Sequence, residues 1–189
     1  MLGPQGAGKG TQAKRIAREY GLPHISTGEM FRAAIAERSE LGKEVEPLLA
    51  AGLLVPDDVT IDLIRQRLRE DDAAEGFVLD GFPRNLAQAE ALDELLSAIG
   101  RRLDVILYLE LPDEVATERL LKRAVDENRR DDTPEVIAGR LRTYHEQTEP
   151  IVEHYRVTGS LVPLHAERSI EDVWDEITRS LAMLGEDAA

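Results

Sequence analysis

The feature that most constrains this chain is a glycine-rich stretch, residues 3–11, which reads Gly-Pro-Gln-Gly-Ala-Gly-Lys-Gly-Thr. Gly3, Gly8 and Lys9 have the G-x-x-x-x-G-K spacing that is typical of a loop holding the phosphates of a nucleotide. Glycines let the backbone curl so that its N–H groups point inward. The helix that we expect over residues 11–20 adds the positive end of its dipole. The stretch therefore indicates a phosphate site, and a flexible loop without a ligand is the alternative.

Two details of this loop depart from the common pattern. Gly10 stands where Ser or Thr is usual, and Thr11 follows it. Only Met1 and Leu2 precede the loop, although such a loop ordinarily follows a buried strand of about five residues. We therefore expect most of the first strand to be missing from the chain, and the sequence leaves open whether this short N-terminus is native.

The charge balance limits the partners of this chain. The formal net charge of −14 argues against a nucleic acid or an anionic membrane as partner, because both are polyanions. The lack of cysteine excludes disulfides and thiolate zinc sites and fits a reducing compartment, so we expect a cytoplasmic protein. No apolar run approaches the roughly 20 residues of a membrane-spanning helix, and no signal peptide is evident.

Predicted strands and helices alternate along the whole chain. Short apolar segments at residues 22–25, 77–80, 105–109 and 161–164 are predicted strands, and capping signals mark the starts of the predicted helices, among them Ser26 with Glu29, Asp57 or Asp58, Thr133, and Ser169 with Asp172. Alternation of this kind predicts an α/β fold with a parallel sheet flanked by helices. The 189 residues suit a single domain with small inserts.

A carboxylate is expected at the sheet edge where ligands bind. Asp80 ends the predicted buried strand at residues 77–80, and ligands of open α/β sheets lie at the carboxyl ends of the strands. Asp80 is thus placed like the acidic residue that holds Mg²⁺ in phosphate-loop proteins; a turn or capping role is the alternative. The rigid turn Gly81-Phe82-Pro83 that follows is expected to place Arg84 over the same edge.

At this point the motifs together resemble those of the adenylate kinase family. The resemblance rests on Gly-x-x-Gly-x-Gly-Lys-Gly-Thr from Gly3, Ser-Thr-Gly-Glu-Met-x-Arg ending at Arg32, Asp-Gly-Phe-Pro-Arg ending at Arg84, Arg119 with Arg123, and a late Arg-Arg-Asp-Asp. It covers nearly the whole chain and implies reversible transfer of the γ-phosphoryl group of ATP to AMP with Mg²⁺, giving two ADP. It also implies a core of residues 1–25, 56–121 and 134–189, an AMP-binding insert at 26–55 and a lid at 122–133.

The resemblance also assigns roles residue by residue. It implies that ATP is bound by Gly6, Ala7, Gly8, Lys9, Gly10, Thr11, Arg119, Arg123 and, through its backbone, Arg168. It implies that AMP is bound by Thr27, Arg32, Leu53, Leu54, Val55, Gly81, Phe82, Pro83, Arg84, Gln88, Arg129 and Arg140. Lys9, Arg84, Arg123, Arg129 and Arg140 are the implied catalytic residues, and Asp80 is the implied Mg²⁺ residue, acting through water.

The implied lid is short. Only five residues separate Arg123 from Arg129, which leaves no room for a zinc knuckle, and Arg130 leaves open which of two neighbouring arginines reaches phosphate. By analogy with the family we expect a monomer. The four histidines, at positions 24, 145, 154 and 165, are expected to be structural or exposed, because phosphoryl transfer needs positioning and charge stabilisation more than proton abstraction.

Three other functions remain open on the sequence. A UMP/CMP kinase of the same fold would differ at the residues contacting the acceptor base, Thr27 and Gln88, which here resemble AMP readers. A phosphate-loop switch protein would not account for the acceptor-side set of Arg32, Arg84 and Gln88. An inactive paralogue is suggested by the missing strand.

Overall fold

The computed structural model describes residues 1–126 and 133–187, with side chains described to Met183. Its helices are α1 Lys9–Tyr20, α2 Thr27–Ala36, α3 Glu40–Ala50, α4 Asp57–Arg67, α5 Leu86–Ala98, α6 Asp113–Asp126, α7 Pro134–Thr143, α8 Pro150–Arg156 and α9 Ile170–Asp187. Its strands are β1 His24–Ser26, β2 Val78–Asp80, β3 Ile106–Glu110 and β4 Leu161–His165. The alternation confirms the predicted α/β class. None of the described helices has the length and apolar character needed to cross a bilayer.

All strand pairs run parallel. Strand β1 pairs with β2, with Ile25 opposite Leu79, and β3 pairs with β4, with Leu107 opposite Val162. The first two residues of the chain lie between these pairs. The Leu2 N–H donates to the Leu107 carbonyl at 2.8 Å, and the Met1 amino group donates to the Leu79 carbonyl at 2.9 Å.

The first strand is therefore as short as expected. Leu2 forms a single parallel bridge with Tyr108, and its carbonyl accepts from the Leu109 N–H at 2.9 Å. The hydrogen bonds give the order β1, β2, residues 1–2, β3, β4. These two residues suffice to carry the chain across the centre of the sheet and to place the glycine-rich loop at its edge.

Apolar helix faces cover the sheet on both sides. One cluster joins α1 and α9 to the central strands and includes Ala13, Ile16, Leu109, Leu164 and Ile177. A second joins α4 and α5 to β1 and β2 and includes Ile25, Ile64, Leu79, Phe82, Leu92 and Leu96. Each fully buried side chain of this size contributes about 1.5–3 kcal/mol. The core therefore fixes the strand ends at which the site forms.

Residues 26–55 form a helical pair with a small core of its own. Helices α2 and α3 enclose Phe31, Val45 and Val55. They cross closely at Gly42, where a Cβ would overlap the Ala34 carbonyl oxygen. The pair packs beside the main core, where the partly buried Val59 and Leu63 of α4 lie against it.

Most of the predicted caps are present. The hydroxyl of Ser26 accepts from the Glu29 N–H, and that of Ser169 accepts from the Asp172 N–H. Thr133 likewise caps α7 through the Val136 N–H. The chain from Pro134 continues through a π turn, Tyr144–Thr148, before α8 begins at Pro150.

The predicted cap of α4 is wrong. Pro56 holds the N-cap position, and no side chain caps the helix. Asp57 is instead the first helical residue, and its carboxylate turns away from its own helix to accept hydrogen bonds from Asn85 and Gln88 of the α5 region. The Asp57 carboxylate accepts from these two side-chain amides, and they take the place of the backbone N–H groups of α4 that would donate to a capping carboxylate.

Candidate active site

The glycine-rich loop takes the curled shape that its sequence predicts. Gly3, Gly6 and Gly8 have φ values of 133°, 85° and 85°, which side chains with a Cβ rarely adopt. The loop is also pressed against its surroundings, because a Cβ on Gly3 would overlap the Leu109 carbonyl and one on Gly6 would lie 2.9 Å from the Ala116 carbonyl. Glycine is therefore required here for both conformation and space.

Lys9 lies across the mouth of this loop. Its Nζ donates to the Gly3 carbonyl at 2.7 Å and to the Pro4 carbonyl at 2.8 Å. Desolvation lowers the pKa of Lys9 to about 8, an effect that the Asp80 carboxylate opposes and that Arg84 adds to. The ammonium is still largely protonated at neutral pH, and it is bonded to neutral acceptors that an anion can replace.

Asp80 ends β2 directly beside the loop. Its side chain is mostly buried, and a Cβ on Gly10 would lie 3.4 Å from its Oδ2. Burial alone would raise the pKa of the Asp80 carboxyl, but the His24 imidazole and the Lys9 ammonium outweigh it, so that this pKa lies below its ordinary value. The loop is therefore faced by an ionised carboxylate.

One open cleft of about 1170 Å³ joins the loop to the arginines that the sequence singled out. Its walls come from α1, α2, α3, α6, α7 and the turn after β2. Of the predicted site residues, the cleft brings together Gly6, Gly8, Lys9, Gly10, Thr11, Arg32, Leu53, Asp80, Gly81, Arg84, Arg119, Arg123 and Arg140. Residues from six separate segments thus converge on one space.

Backbone carbonyls hold several of these guanidinium groups. Arg84 Nε donates to the Gly81 carbonyl at 2.8 Å, and Arg140 Nη2 donates to the Leu49 carbonyl at 3.3 Å. Arg119 donates to the three consecutive carbonyls of residues 166–168. Desolvation lowers the pKa of Arg84, which Asp80 opposes, but a guanidinium stays charged in proteins. The cleft is therefore strongly positive although the chain is acidic overall.

A second, narrow cavity of about 30 Å³ lies between α2, α4 and α5. Seven of its lining residues were predicted to contact the acceptor: Thr27, Leu53, Leu54, Val55, Gly81, Arg84 and Gln88. The Thr27 hydroxyl donates to the Gly81 carbonyl at 2.9 Å. Apolar walls with a few fixed polar groups are typical of small-molecule sites, and in this conformation the cavity has room for about one water molecule.

Gln88 is buried in this cavity with its carboxamide already engaged. Its Oε1 accepts from the Arg84 N–H at 2.8 Å, and its Nε2 donates to Asp57 Oδ1 at 2.7 Å. Asn85 caps α5 through the Gln88 N–H and also donates to Asp57. Sequence reasoning missed Asp57 as part of this network, because an aspartate at a helix start indicates only a cap.

The cleft also contains an ion pair that the sequence did not indicate. Lys14 Nζ of α1 lies 2.6 Å from Glu29 Oε1 of α2, and both residues line the cleft. The hydrogen bond from Lys14 lowers the pKa of Glu29. Spacing along the chain cannot reveal such a pair, because its members are on different helices.

Several predicted site residues lie outside these linings. The side chain of Phe82 is buried in the α4–α5 core, and Ala7 packs in the α1–α9 core. Pro83 and Arg168 are described but are absent from the residues lining either space, although the Arg168 carbonyl accepts from Arg119. Arg129 falls outside the described residues.

Comparisons with known proteins agree with this geometry. A family model described as "Adenylate kinase" matches residues 1–160. The chain is 45% identical to the adenylate kinase of Parvibaculum lavamentivorans, over 97% of this chain and 91% of that protein. It is 49% identical to the adenylate kinase of Thermobifida fusca, over 92% of both proteins. It is 46% identical to that of Leptospira biflexa, over 96% of this chain and 97% of that protein.

These matches cover the loop, the cleft arginines and the turn after β2, and they do so over nearly the whole length of each relative. They favour an adenylate kinase over the switch proteins and the UMP/CMP kinases, because each of the three relatives named here is an adenylate kinase. The chain belongs to the adenylate kinase family and is an enzyme, a phosphotransferase that interconverts ATP, AMP and ADP.

Proposed function

We propose that the loop end of the cleft binds ATP, that the narrow cavity binds AMP, and that the arginines between them stabilise the phosphoryl group in transfer. One observation supports this most: the site has two distinct ends, a phosphate loop with Lys9 and a narrow cavity lined by Gln88, and Arg84 lines both spaces. A protein that only binds or hydrolyses one nucleotide has no use for the second end.

On the donor side, the phosphates of ATP replace the carbonyls now bonded to Lys9. The inward N–H groups from Gly6 to Thr11 and the start of α1 hold these phosphates. Arg119 lies over the loop of residues 166–168, so we assign it and the backbone of Arg168 to the adenine of ATP. Arg123, one turn further along α6, faces the phosphates.

On the acceptor side, the base of AMP enters between Thr27, Gln88 and the apolar backbone segment Leu53–Val55. Arg32 and Arg84 hold its phosphate. The turn Gly81-Phe82-Pro83 shapes this end from below, with the Phe82 side chain anchoring the turn in the core.

The residues present fit a magnesium ion carried by the nucleotide. Mg²⁺ keeps several waters and takes few protein ligands, and among the described residues no group of three His, Cys, Asp or Glu is arranged to hold a metal. Asp80, ionised and beside Gly10, would hold such an ion through water. When bound, the ion neutralises charge on the β- and γ-phosphates.

The chemistry then follows from positioning. The acceptor phosphate is already an anion at neutral pH, so no protein base has to remove a proton. Arg84, Arg123, Arg140 and, in the proposed lid, Arg129 align the two substrates and offset the charge that spreads over the transferring group. Guanidinium groups are suited to this because they donate two parallel hydrogen bonds to one phosphate.

We further propose a moving insert, residues 26–55, and a short lid, residues 122–133, that close over the substrates and exclude water. The lid would work without zinc. We propose a monomeric cytoplasmic enzyme whose partners are ATP and AMP and not a nucleic acid or a membrane, which is consistent with the net charge of −14.

A coupled assay of ADP formation tests this proposal. With Mg-ATP and AMP together the protein should form ADP at a rate well above that with Mg-ATP alone, and Asp80→Asn should lower that rate. A rate that does not depend on AMP would contradict the proposal and indicate a simple nucleotide hydrolase.

A further inference from the structure

Asp57 supports the acceptor cavity without lining it. Its Oδ1 accepts two hydrogen bonds, from Gln88 Nε2 at 2.7 Å and from Asn85 Nδ2 at 2.8 Å. It is the first residue of α4, at the point where the chain leaves the insert. It is absent from the described residues that line the cavity, whereas its hydrogen-bond partner Gln88 lines it, so Gln88 is the direct route from Asp57 to a ligand there.

These contacts fix the orientation of the Gln88 carboxamide. The Arg84 N–H can only donate, so the group facing it must be Oε1; the Asp57 carboxylate can only accept, so the group facing it must be Nε2. In a flipped amide, Nε2 would face the Arg84 N–H, which is also a donor, and Oε1 would face the Asp57 carboxylate, which is also an acceptor. Gln88 is therefore left with one free N–H and one free lone pair, in a fixed order.

We infer that Asp57 is a positioning residue that sets base specificity, by locking the Gln88 amide in the orientation that complements adenine. The inference rests on the proposed function. Adenine offers an amino donor next to a ring-nitrogen acceptor, and a hypoxanthine or uracil edge offers a carbonyl acceptor next to an N–H donor. A locked amide pairs with only one of these orders, whereas an amide free to flip pairs with either.

An effect of Asp57 on base recognition has to be distinguished from an effect on stability. Asp57 also ties α4 to the start of α5, so its removal can lower stability without any effect on recognition. Stability alone therefore does not test the inference. The ratio of kcat/KM for AMP to that for inosine monophosphate does, because the two acceptors have bases of the same size and differ in the order of donor and acceptor.

The experiment compares Asp57→Ala, Asp57→Asn and the control Asp58→Ala. Asp58 is the next residue of the same helical turn and is exposed, so its replacement removes the same charge from the same helix end. We expect Asp57→Ala to lower the AMP-to-inosine-monophosphate ratio about 10-fold, the effect of losing a hydrogen bond to a charged group, and to change the KM for ATP less than twofold. Asp58→Ala should leave the ratio unchanged.

A double-mutant cycle shows whether Asp57 acts through Gln88. In a Gln88→Ala background, Asp57→Ala should cause no further loss of the ratio, because the group it orients is gone. Asp57→Asn should keep the parental ratio, because its Oδ1 can accept both hydrogen bonds. If Asp57→Ala proves too unstable to assay, Asp57→Leu carries the test, since Leu has a similar branched shape and offers no acceptor to Gln88.

The outcomes are distinct. A lowered melting temperature with an unchanged ratio for Asp57→Ala, or for Asp57→Leu in its place, would overturn the inference and leave Asp57 as a structural tie. A parental protein that prefers inosine monophosphate would contradict the proposed function instead. Even then the Asp57 inference would be judged by whether Asp57→Ala abolishes that preference.

Discussion

The two ends of the cleft are held together in different ways. At the phosphate end, charged side chains bond to backbone carbonyls, as Lys9 does with Gly3 and Pro4 and as Arg140 does with Leu49. At the base end, side chains bond to one another and to fixed N–H groups, as Gln88 does with Asp57 and with the Arg84 backbone.

This difference divides the work of the enzyme. Carbonyls are neutral acceptors, so phosphate oxygens, which form stronger charge-assisted hydrogen bonds, can displace them. On the proposed function, we therefore expect the phosphate end to rearrange when the substrates bind. The Gln88 amide of the base end is already oriented, which would reduce the ordering cost of binding. We propose that the phosphate end sets the rate and the base end selects the acceptor.

Lys9→Ala should break the phosphate end most severely. Loss of one preorganised charge at a reacting phosphate lowers kcat on the order of 10²–10³-fold. The melting temperature should change little, because Lys9 bonds to carbonyls and fills no core space. ADP formation and thermal melting measure the two effects, and Lys43→Ala, at an exposed ion pair with Glu40, is the control. ADP production at the parental rate would reject the role of the loop.

Arg140→Lys should have a smaller effect at the same end. Lysine keeps the charge but lacks the planar, two-pronged donor, so we expect kcat to fall roughly 10-fold while the KM for ATP changes less. Steady-state kinetics at varied ATP separates these terms. Arg142→Lys on the exposed side of the same helix is the control. Equal kcat in both variants and the parent would place Arg140 outside the transfer step.

Gly81→Ala should disturb the base end. Gly81 has φ 79°, and a Cβ there would lie 2.8 Å from Thr27 Oγ1. We expect a stability loss of about 1–2 kcal/mol from the left-handed backbone and, in addition, a raised KM for AMP. Gly159→Ala has the same backbone strain, φ 76°, and no atom within 4 Å of the Cβ. Gly81→Ala should therefore lose more stability than Gly159→Ala in melting experiments, because it adds the close contact with Thr27 to the same backbone strain. Only Gly81→Ala should affect AMP; an equal KM for AMP in both would separate Gly81 from the acceptor site.

The smallest predicted effect lies outside the cleft. Hydrogen bonds that the His145 ring donates to Glu149 and Asp113 raise the pKa of His145 above its ordinary 6.5. A raised folded-state pKa stabilises the protein fully below about pH 6.5, and this stabilisation is lost as the pH rises through the folded value. These groups are nearly half exposed, so the contribution stays below about 1 kcal/mol.

His145→Gln should therefore lower the melting temperature by a few degrees at most near pH 5.5 and hardly at all near pH 9. Melting curves over this range test the sign. The control is His165→Gln, which removes a longer contact, to Glu176. A larger destabilisation at high pH than at low pH would be opposite to the expectation.

The sequence could predict the structural features that local patterns determine. Glycine spacing predicted the loop, a short apolar run ending in Asp80 predicted a strand edge, and Thr133 followed by Pro134 predicted a helix start. The role of Asp57 could not be predicted, since its partners lie about thirty residues away and its local setting is that of a cap. The pairing of Lys14 with Glu29 depends in the same way on how two helices pack.

The most direct test of the division between rate and selection is the acceptor preference at fixed Mg-ATP. Initial rates with AMP, UMP and CMP should give the parental protein a large preference for AMP in kcat/KM. Gln88→Ala should lose much of this preference, and Arg140→Lys should keep it at a reduced rate. Phosphorylation of UMP by the parental protein as fast as that of AMP, or faster, would contradict the account.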